Sequence, residues 1–232
     1  MPQDKITLAI FDFDGTLTAG HLWTGIARHH QAKKIKRTAL FLYMAGHLPY
    51  WVAAKMKLYP DDKNRAKWGR DLAVLFKDFS LQEAGTAFEW VTDNYFLPLM
   101  RKDMMAVLEE HRRKGHRTLI LSGMFGAFLE VVAGRLGMDY WVGTPLEVKN
   151  GRYSGKIVPP LCFGENKANY LQGYLQKQGL DVDYHESYAY ADSIYDNPVF
   201  RLVGHPVAVY PDKELLKQAR QRGWTIIGAP SS

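Results

Sequence analysis

Residues 6–18 read I-T-L-A-I-F-D-F-D-G-T-L-T. The first half is an apolar, β-branched run, the pattern of a strand buried on both faces of a parallel sheet. The run breaks at Asp12 and Asp14 with Gly15 behind them, so two acidic side chains stand where a buried strand emerges into a loop. In open α/β sheets that carboxyl end is where ligands bind. Two carboxylates this close repel each other and lose hydration, and a hard divalent cation with oxygen ligands is the usual compensation. A surface turn of the type D-x-D-G is the bland alternative. Its place directly after a buried run and ahead of Thr16-Leu17-Thr18 argues against it.

After Thr18 the periodicity changes. Residues 20–95 hold no convincing strand, and apolar side chains recur at helical spacing, as at Leu72, Leu75, Phe76 and Phe79, then Ala84, Phe88, Val91 and Tyr95. Ser80-Leu81-Gln82-Glu83 predicts a helix start with a capping box. Within this insertion residues 39–54 form an apolar stretch too short for a bilayer span and interrupted by Gly46, His47 and Pro49. Lys33, Lys34, Lys36 and Arg37 precede it and Lys55 and Lys57 follow, a pattern an interfacial helix could use. The favoured expectation is a helix pair kinked at Pro49 with its apolar face packed inward.

From residue 103 helices and strands alternate. Helices are expected over 104–114, 127–136, 166–178, 196–202 and 212–222; strands over 117–121, 140–148, 152–158, 188–191, 207–210 and 225–227, with Asn150-Gly151 as a type I′ hairpin turn. Strands separated by helices imply a doubly wound, Rossmann-like parallel sheet, so the fold class is α/β. Three more strand ends or helix starts carry polar groups: Ser122-Gly123 after an apolar strand, Lys167 near the start of a helix, and Asp192 with Asp196 after a strand. A serine and a lysine of this kind, taken singly, are ordinary turn and surface residues.

Together and in this order they matter. Asp12-Phe13-Asp14-Gly15-Thr16-Leu17-Thr18 resembles the first motif of the haloacid-dehalogenase-like (HAD) phosphohydrolases, D-x-D-G-T-[LV]-T, and the later residues resemble the family's remaining motifs. The stretch 203–215, V-G-H-P-V-A-V-Y-P-D-K-E-L, is similar to the phosphoserine-phosphatase-like subfamily IB. The resemblance implies Asp12 as nucleophile and Asp14 as general acid/base whose backbone carbonyl also ligates Mg²⁺. It implies Ser122, with the backbone at Gly123, as a phosphoryl-oxygen site, and Lys167 as the neutralising cation. Asp192 is then a Mg²⁺ ligand and Asp196 a supporting acid behind it. It further implies a C1-type helical cap over residues 19–96 on an α/β core made of 1–18 and 97–232. In phosphoserine phosphatases a glutamate seven residues beyond the second Asp reads the substrate ammonium; this chain has His21 there, and neutral imidazole is a poor partner for a cation. His21 is therefore a candidate substrate contact of a different kind. No cap arginine aligns securely with the carboxylate reader, Arg70 being near in sequence, and Trp23, Trp51, Trp68 and Trp90 are read as cap core.

Composition narrows the choices. The formal charge is +6 with a pI near 9.2. The Lys and Arg are spread along the chain and no nucleic-acid motif appears, which favours a small phosphorylated substrate over nucleic acid. Cys162 stands alone, so no internal disulfide forms and a reducing cytoplasm is expected; the start M-P-Q-D-K-I has no signal-peptide character. The expected activity is Mg²⁺-dependent phosphomonoester hydrolysis through an aspartyl-phosphate. Alternatives are a phosphatidylglycerophosphate-type headgroup phosphatase at a membrane surface, a phosphotransferase, or a non-catalytic phosphate binder, the last disfavoured by the intact acids.

Overall fold

The apolar run folds into β1 (Leu8–Phe11), and every residue of it is buried. Leu8 and Ile10 enter one hydrophobic cluster and Ala9 and Phe11 the other, as the two-residue period of a strand covered on both faces requires. The computed structural model describes residues 5–229, so the Met1 to Asp4 part of the expected chain start lies outside the described residues.

The insertion follows: α1 (Leu22–Ala32), α2 (Arg37–Lys55), α3 (Asp61–Asp71), a 3₁₀ turn over Leu72–Phe76 and α4 (Leu81–Val91). Ser80 caps α4 as predicted, its Oγ accepting from the Glu83 N–H at 3.1 Å while the Glu83 carboxylate accepts from the Ser80 N–H at 2.7 Å. Then come α5 (Lys102–Arg113), β2 (Arg117–Phe125), α6 (Gly126–Leu136) and β3 (Tyr140–Thr144). A hairpin of β4 (Leu146–Lys149) and β5 (Arg152–Ile157) precedes α7 (Glu165–Gln178), β6 (Tyr188–Ala191), α8 (Asn197–Phe200), β7 (His205–Val209), α9 (Lys213–Arg222) and β8 (Thr225–Ile227).

Six strands form one sheet in the order β3-β2-β1-β6-β7-β8, and every pairing is parallel. The order runs outward in both directions from β1 and β6, so the topological switch point lies between them, where a crevice opens beyond the strand ends. The insertion leaves the chain immediately beyond that point. It shares the core on one face: Phe88 of α4 stands 5.9 Å from Phe128 of α6, and Phe13 stands 6.0 Å from the same ring.

Four expectations need correction. Pro49 lies inside one continuous α2 instead of dividing a pair. Only Tyr43 and His47 of α2 are buried, while Phe41, Leu42, Leu48 and Val52 face outward; a helix apolar around its whole circumference cannot cover every face by packing one. The strand expected over 140–148 divides at Pro145, which has no N–H to give a ladder, and β4 pairs only with β5; Asn150 and Gly151 at their turn both have positive φ, as I′ geometry demands. In place of a helix over 196–202 there is a 3₁₀ turn over Ile194–Asp196 and the single turn α8.

Candidate active site

Asp12 follows β1 directly and is held by the sheet, its N–H donating to the Tyr190 carbonyl at 2.9 Å. Asp192 follows β6 on the other side of the switch point. Lys167, in the first turn of α7, reaches between the strand ends: its Nζ donates to Asp12 Oδ1 at 2.7 Å and to Asp196 Oδ1, with all three side chains buried. Burial alone would lower the lysine pKa; the two carboxylates overcome it and raise it. Asp196 moves up to about 6, because withdrawal from water outweighs the nearby ammonium.

Asp14 and Asp192 are raised well above the ordinary carboxylate range, first by burial and then by the charge of Asp12 and of further neighbouring acids. Asp14 Oδ1 is buried without a hydrogen-bond partner among the described residues. Gly15 adopts φ +81°, and a Cβ there would run into the Asp192 carboxylate, so only glycine lets the backbone and this acid approach so closely. Among the described residues no three His, Cys, Asp or Glu side chains form a ready-made metal cluster.

Ser122 is buried on β2, which runs on to Phe125 with a slip of register between Leu121 and Phe125. The slip brings Ser122 and Gly123 to the crevice. Asp12, Asp14, His21, Ser122, Gly123, Lys167, Asp192 and Asp196 thus all line one cleft of about 550 Å³. Trp23, Tyr43, Trp51 and Trp68 line it too, so Trp23 and Trp51 face the cleft, while Trp68 also packs on the hydrophobic core, as does Trp90 against His29. The His21 pKa is lowered, by withdrawal from water and then by the charge of Arg65. A larger depression of about 740 Å³ lies at the opposite, amino ends of β7 and β8, away from these acids.

Sequence reasoning missed several supports. Thr144 Oγ1 donates to the Gly123 carbonyl at 2.9 Å and accepts from the Cys162 N–H at 3.1 Å, joining the serine loop to the segment that leads into Lys167. Asp212, the N-cap of α9, accepts from Ser193 Oγ and the Ile194 N–H and so orients the loop after Asp192. Neither has a local signature beyond a cap or a strand threonine. Arg65 lines the cleft from α3, tied to Asp61 at 2.7 Å with its guanidinium over the Tyr195 ring. The i,i+4 spacing of Asp61 and Arg65 was the available signal.

A parallel sheet with acids on both sides of its switch point and a buried lysine between them defines an α/β enzyme of the doubly wound class. The chain belongs to the haloacid dehalogenase-like hydrolases, whose family model matches residues 9–201. It is 28% identical to a histidinol-phosphatase of Neisseria meningitidis over 95% of this chain and 97% of that protein. It is 28% identical to a phosphoserine phosphatase of Mycobacterium tuberculosis over 97% of this chain and 71% of that one. The fold is similar to a Bordetella pertussis protein of unknown function, with TM-score 0.80 and 21% identity over 97% and 99% of the two chains. It is also similar to a substrate-bound phosphoserine phosphatase, with TM-score 0.64 and 19% identity over 97% and 94%. Within the family the chain is a phosphatase-type enzyme, a phosphoric monoester hydrolase of the subfamily IB kind.

Proposed function

We propose that this enzyme hydrolyses a small phosphorylated metabolite through an aspartyl-phosphate on Asp12, with residues 19–96 acting as a cap over the cleft. The observation that carries the reading is the placement of Lys167: it occupies Oδ1 of Asp12, leaving Oδ2, met among the described residues only by a long 3.5 Å contact from Thr16, as the attacking atom. Oδ2 forms a bond to phosphorus as the bond to the leaving oxygen breaks. Asp14, whose raised pKa favours the protonated form, gives its proton to that oxygen. Water then attacks the same phosphorus, Asp14 takes up its proton, and the bond to Asp12 is released. Ser122 and the backbone at Gly123 hold phosphoryl oxygens, and Lys167 keeps the negative charge near Asp12 balanced throughout.

Magnesium fits the donor set. Four aspartates face one ammonium, Asp14 Oδ1 has no partner among the described residues, and Gly15 keeps the space beside Asp192 free of a side chain. The Asp12 and Asp192 carboxylates and the Asp14 carbonyl would hold the ion, which supplies Lewis-acid polarisation of the phosphoryl group when bound.

The wall of Trp23, Tyr43, Trp51 and Trp68, with a weakly basic His21 beside it, suits an alcohol that carries a flat or apolar portion better than a zwitterionic amino acid. That wall supports the view that phosphoserine is a poor substrate. The unpaired, buried Cys162 suits a reducing compartment such as the cytoplasm. Turnover of p-nitrophenyl phosphate with magnesium, its loss in EDTA and its return on adding the metal back test the chemistry. A phosphatase screen comparing phosphoserine with aryl and heteroaryl phosphomonoesters tests the substrate class, and equal turnover of phosphoserine would refute it.

A further inference from the structure

The outward face of α2 has no counterpart among the described residues. Phe41 is 70% exposed, Leu42 62% and Leu48 57%, with Val52 and Met56 continuing the row and Leu58 74% exposed just beyond the helix. Residues 41, 45, 48, 52 and 56 follow one another at spacings of four, three, four and four, so they form a single stripe along one side. The opposite side, through Tyr43 and His47, faces the rest of the insertion. Exposed apolar surface this continuous marks a contact site.

Charge indicates what covers it. Residues 15–60 contain seven Lys and Arg and no Asp or Glu, whereas the rest of the chain carries 23 Lys and Arg against 24 Asp and Glu. The net positive charge of the molecule is therefore concentrated on this one segment, although its basic residues look evenly scattered along the chain. Lys33, Lys34 and Arg37 are exposed at the start of α2 and Lys55 and Lys57 at its end, and no charged residue interrupts the stretch between Arg37 and Lys55. An apolar stripe with cations at both ends matches an anionic lipid surface: acyl chains receive the stripe and headgroup phosphates meet the cations. A protein partner would more commonly meet charges interspersed within the patch. No helix among the described residues is long and apolar enough to cross a membrane, so α2 would lie on the surface and not span it.

We propose that α2 docks flat on an anionic bilayer and that the enzyme works as a peripheral membrane protein. The same helix lines the active-site cleft through Trp51, Ala54 and Lys55, so docking brings the mouth of that cleft to the membrane surface. This goes beyond the phosphatase reading and is measured without turnover.

The test is co-sedimentation of the full chain with vesicles made of equal parts phosphatidylcholine and phosphatidylglycerol, against vesicles of phosphatidylcholine alone. The protein is expected to pellet with the anionic vesicles in low salt, to be largely released in high salt, and to stay in the supernatant with the neutral ones. Phe41→Asp with Leu48→Asp should abolish pelleting, and Lys34→Gln alone should weaken partitioning by about fivefold, the effect of one surface cation. Thermal melts of the variants confirm that they remain folded; Lys34→Gln, on an exposed turn, keeps the test valid if the double variant does not. A parent protein that stays in solution with anionic vesicles, equal binding to neutral vesicles, or a self-associated dimer that ignores vesicles overturns the proposal.

Discussion

The crevice between β1 and β6 and the helical insertion beside it treat charge in opposite ways. In the crevice four aspartates crowd one buried lysine, and burial raises the pKa of Asp14, Asp192 and Asp196, the last despite its bond to the lysine. In the insertion the cations from Arg28 to Lys57 stand without a single acid among them in sequence. The crevice residues act directly on one another's charge, so their types are dictated by one another. The insertion is left unbalanced, and what completes it lies outside the fold. The first region can thus be broken by single isosteric changes, whereas the second answers to what is offered to it.

The largest effect is expected from Asp12→Asn, which keeps the shape and removes the nucleophile: turnover of p-nitrophenyl phosphate should fall by on the order of 10⁴-fold or more. Unchanged turnover would end the crevice side of the comparison. Asp14→Asn should cost about 10² to 10⁴ in kcat, the range for a positioned proton donor. Because burial and its acidic neighbours disfavour the ionised form of Asp14, the same neutral substitution should raise the melting temperature in EDTA. Lys167→Met leaves Asp12 and Asp196 buried without their cation and should lower stability by about 3–5 kcal/mol in urea titrations.

Acid should weaken the framework behind both regions. His29, in α1 of the insertion, and His111, which bonds the Tyr190 hydroxyl at 2.7 Å behind the sheet, are both lowered to about 4, first by burial and then by a neighbouring histidine. Their folded pKa lies below the unfolded 6.5, so the stability they carry is complete above about pH 6.5 and is lost as pH falls toward 4. Each should cost at most about 2 kcal/mol at pH 5, solvent screening reducing it, so urea midpoints at pH 7 and pH 5 should differ. Replacing His111 with Phe should flatten that dependence, and an unaltered slope would show that other groups carry it.

The two regions also differ in how legible they are. Asp12 and Asp192 could be located because each follows an apolar strand, and Ser122 because it follows the apolar run inside β2; strand ends in a parallel sheet gather at one edge whatever the loops do. Lys167 was readable only through its order among the motifs, since the helix start that carries it disfavours a cation and only the buried acids explain it. Thr144 and Asp212 act through contacts made across the chain, which no local pattern encodes. In α2 the period failed: apolar residues on every side of the helix predict burial, yet its neighbours cover only the Tyr43 and His47 side. The absence of acids across residues 15–60 was visible in the sequence all along, and summing charge by segment would have exposed it.

The smallest effect belongs to the wall of the cleft. Trp23 stands beside Trp68, ring centres 6.0 Å apart. A stacked aromatic is worth about 0.5–1.5 kcal/mol, so Trp23→Ala should raise KM for an aryl phosphomonoester by about twofold to tenfold. Contact with a remote part of the substrate is made alike before and during phosphoryl transfer, so kcat should hold. For a phosphomonoester with a short, polar alcohol the same variant should change neither constant. A fall in kcat with KM unchanged would move Trp23 from holding the substrate to positioning the crevice, and the division between the two regions would then run beyond α1 instead of at β1.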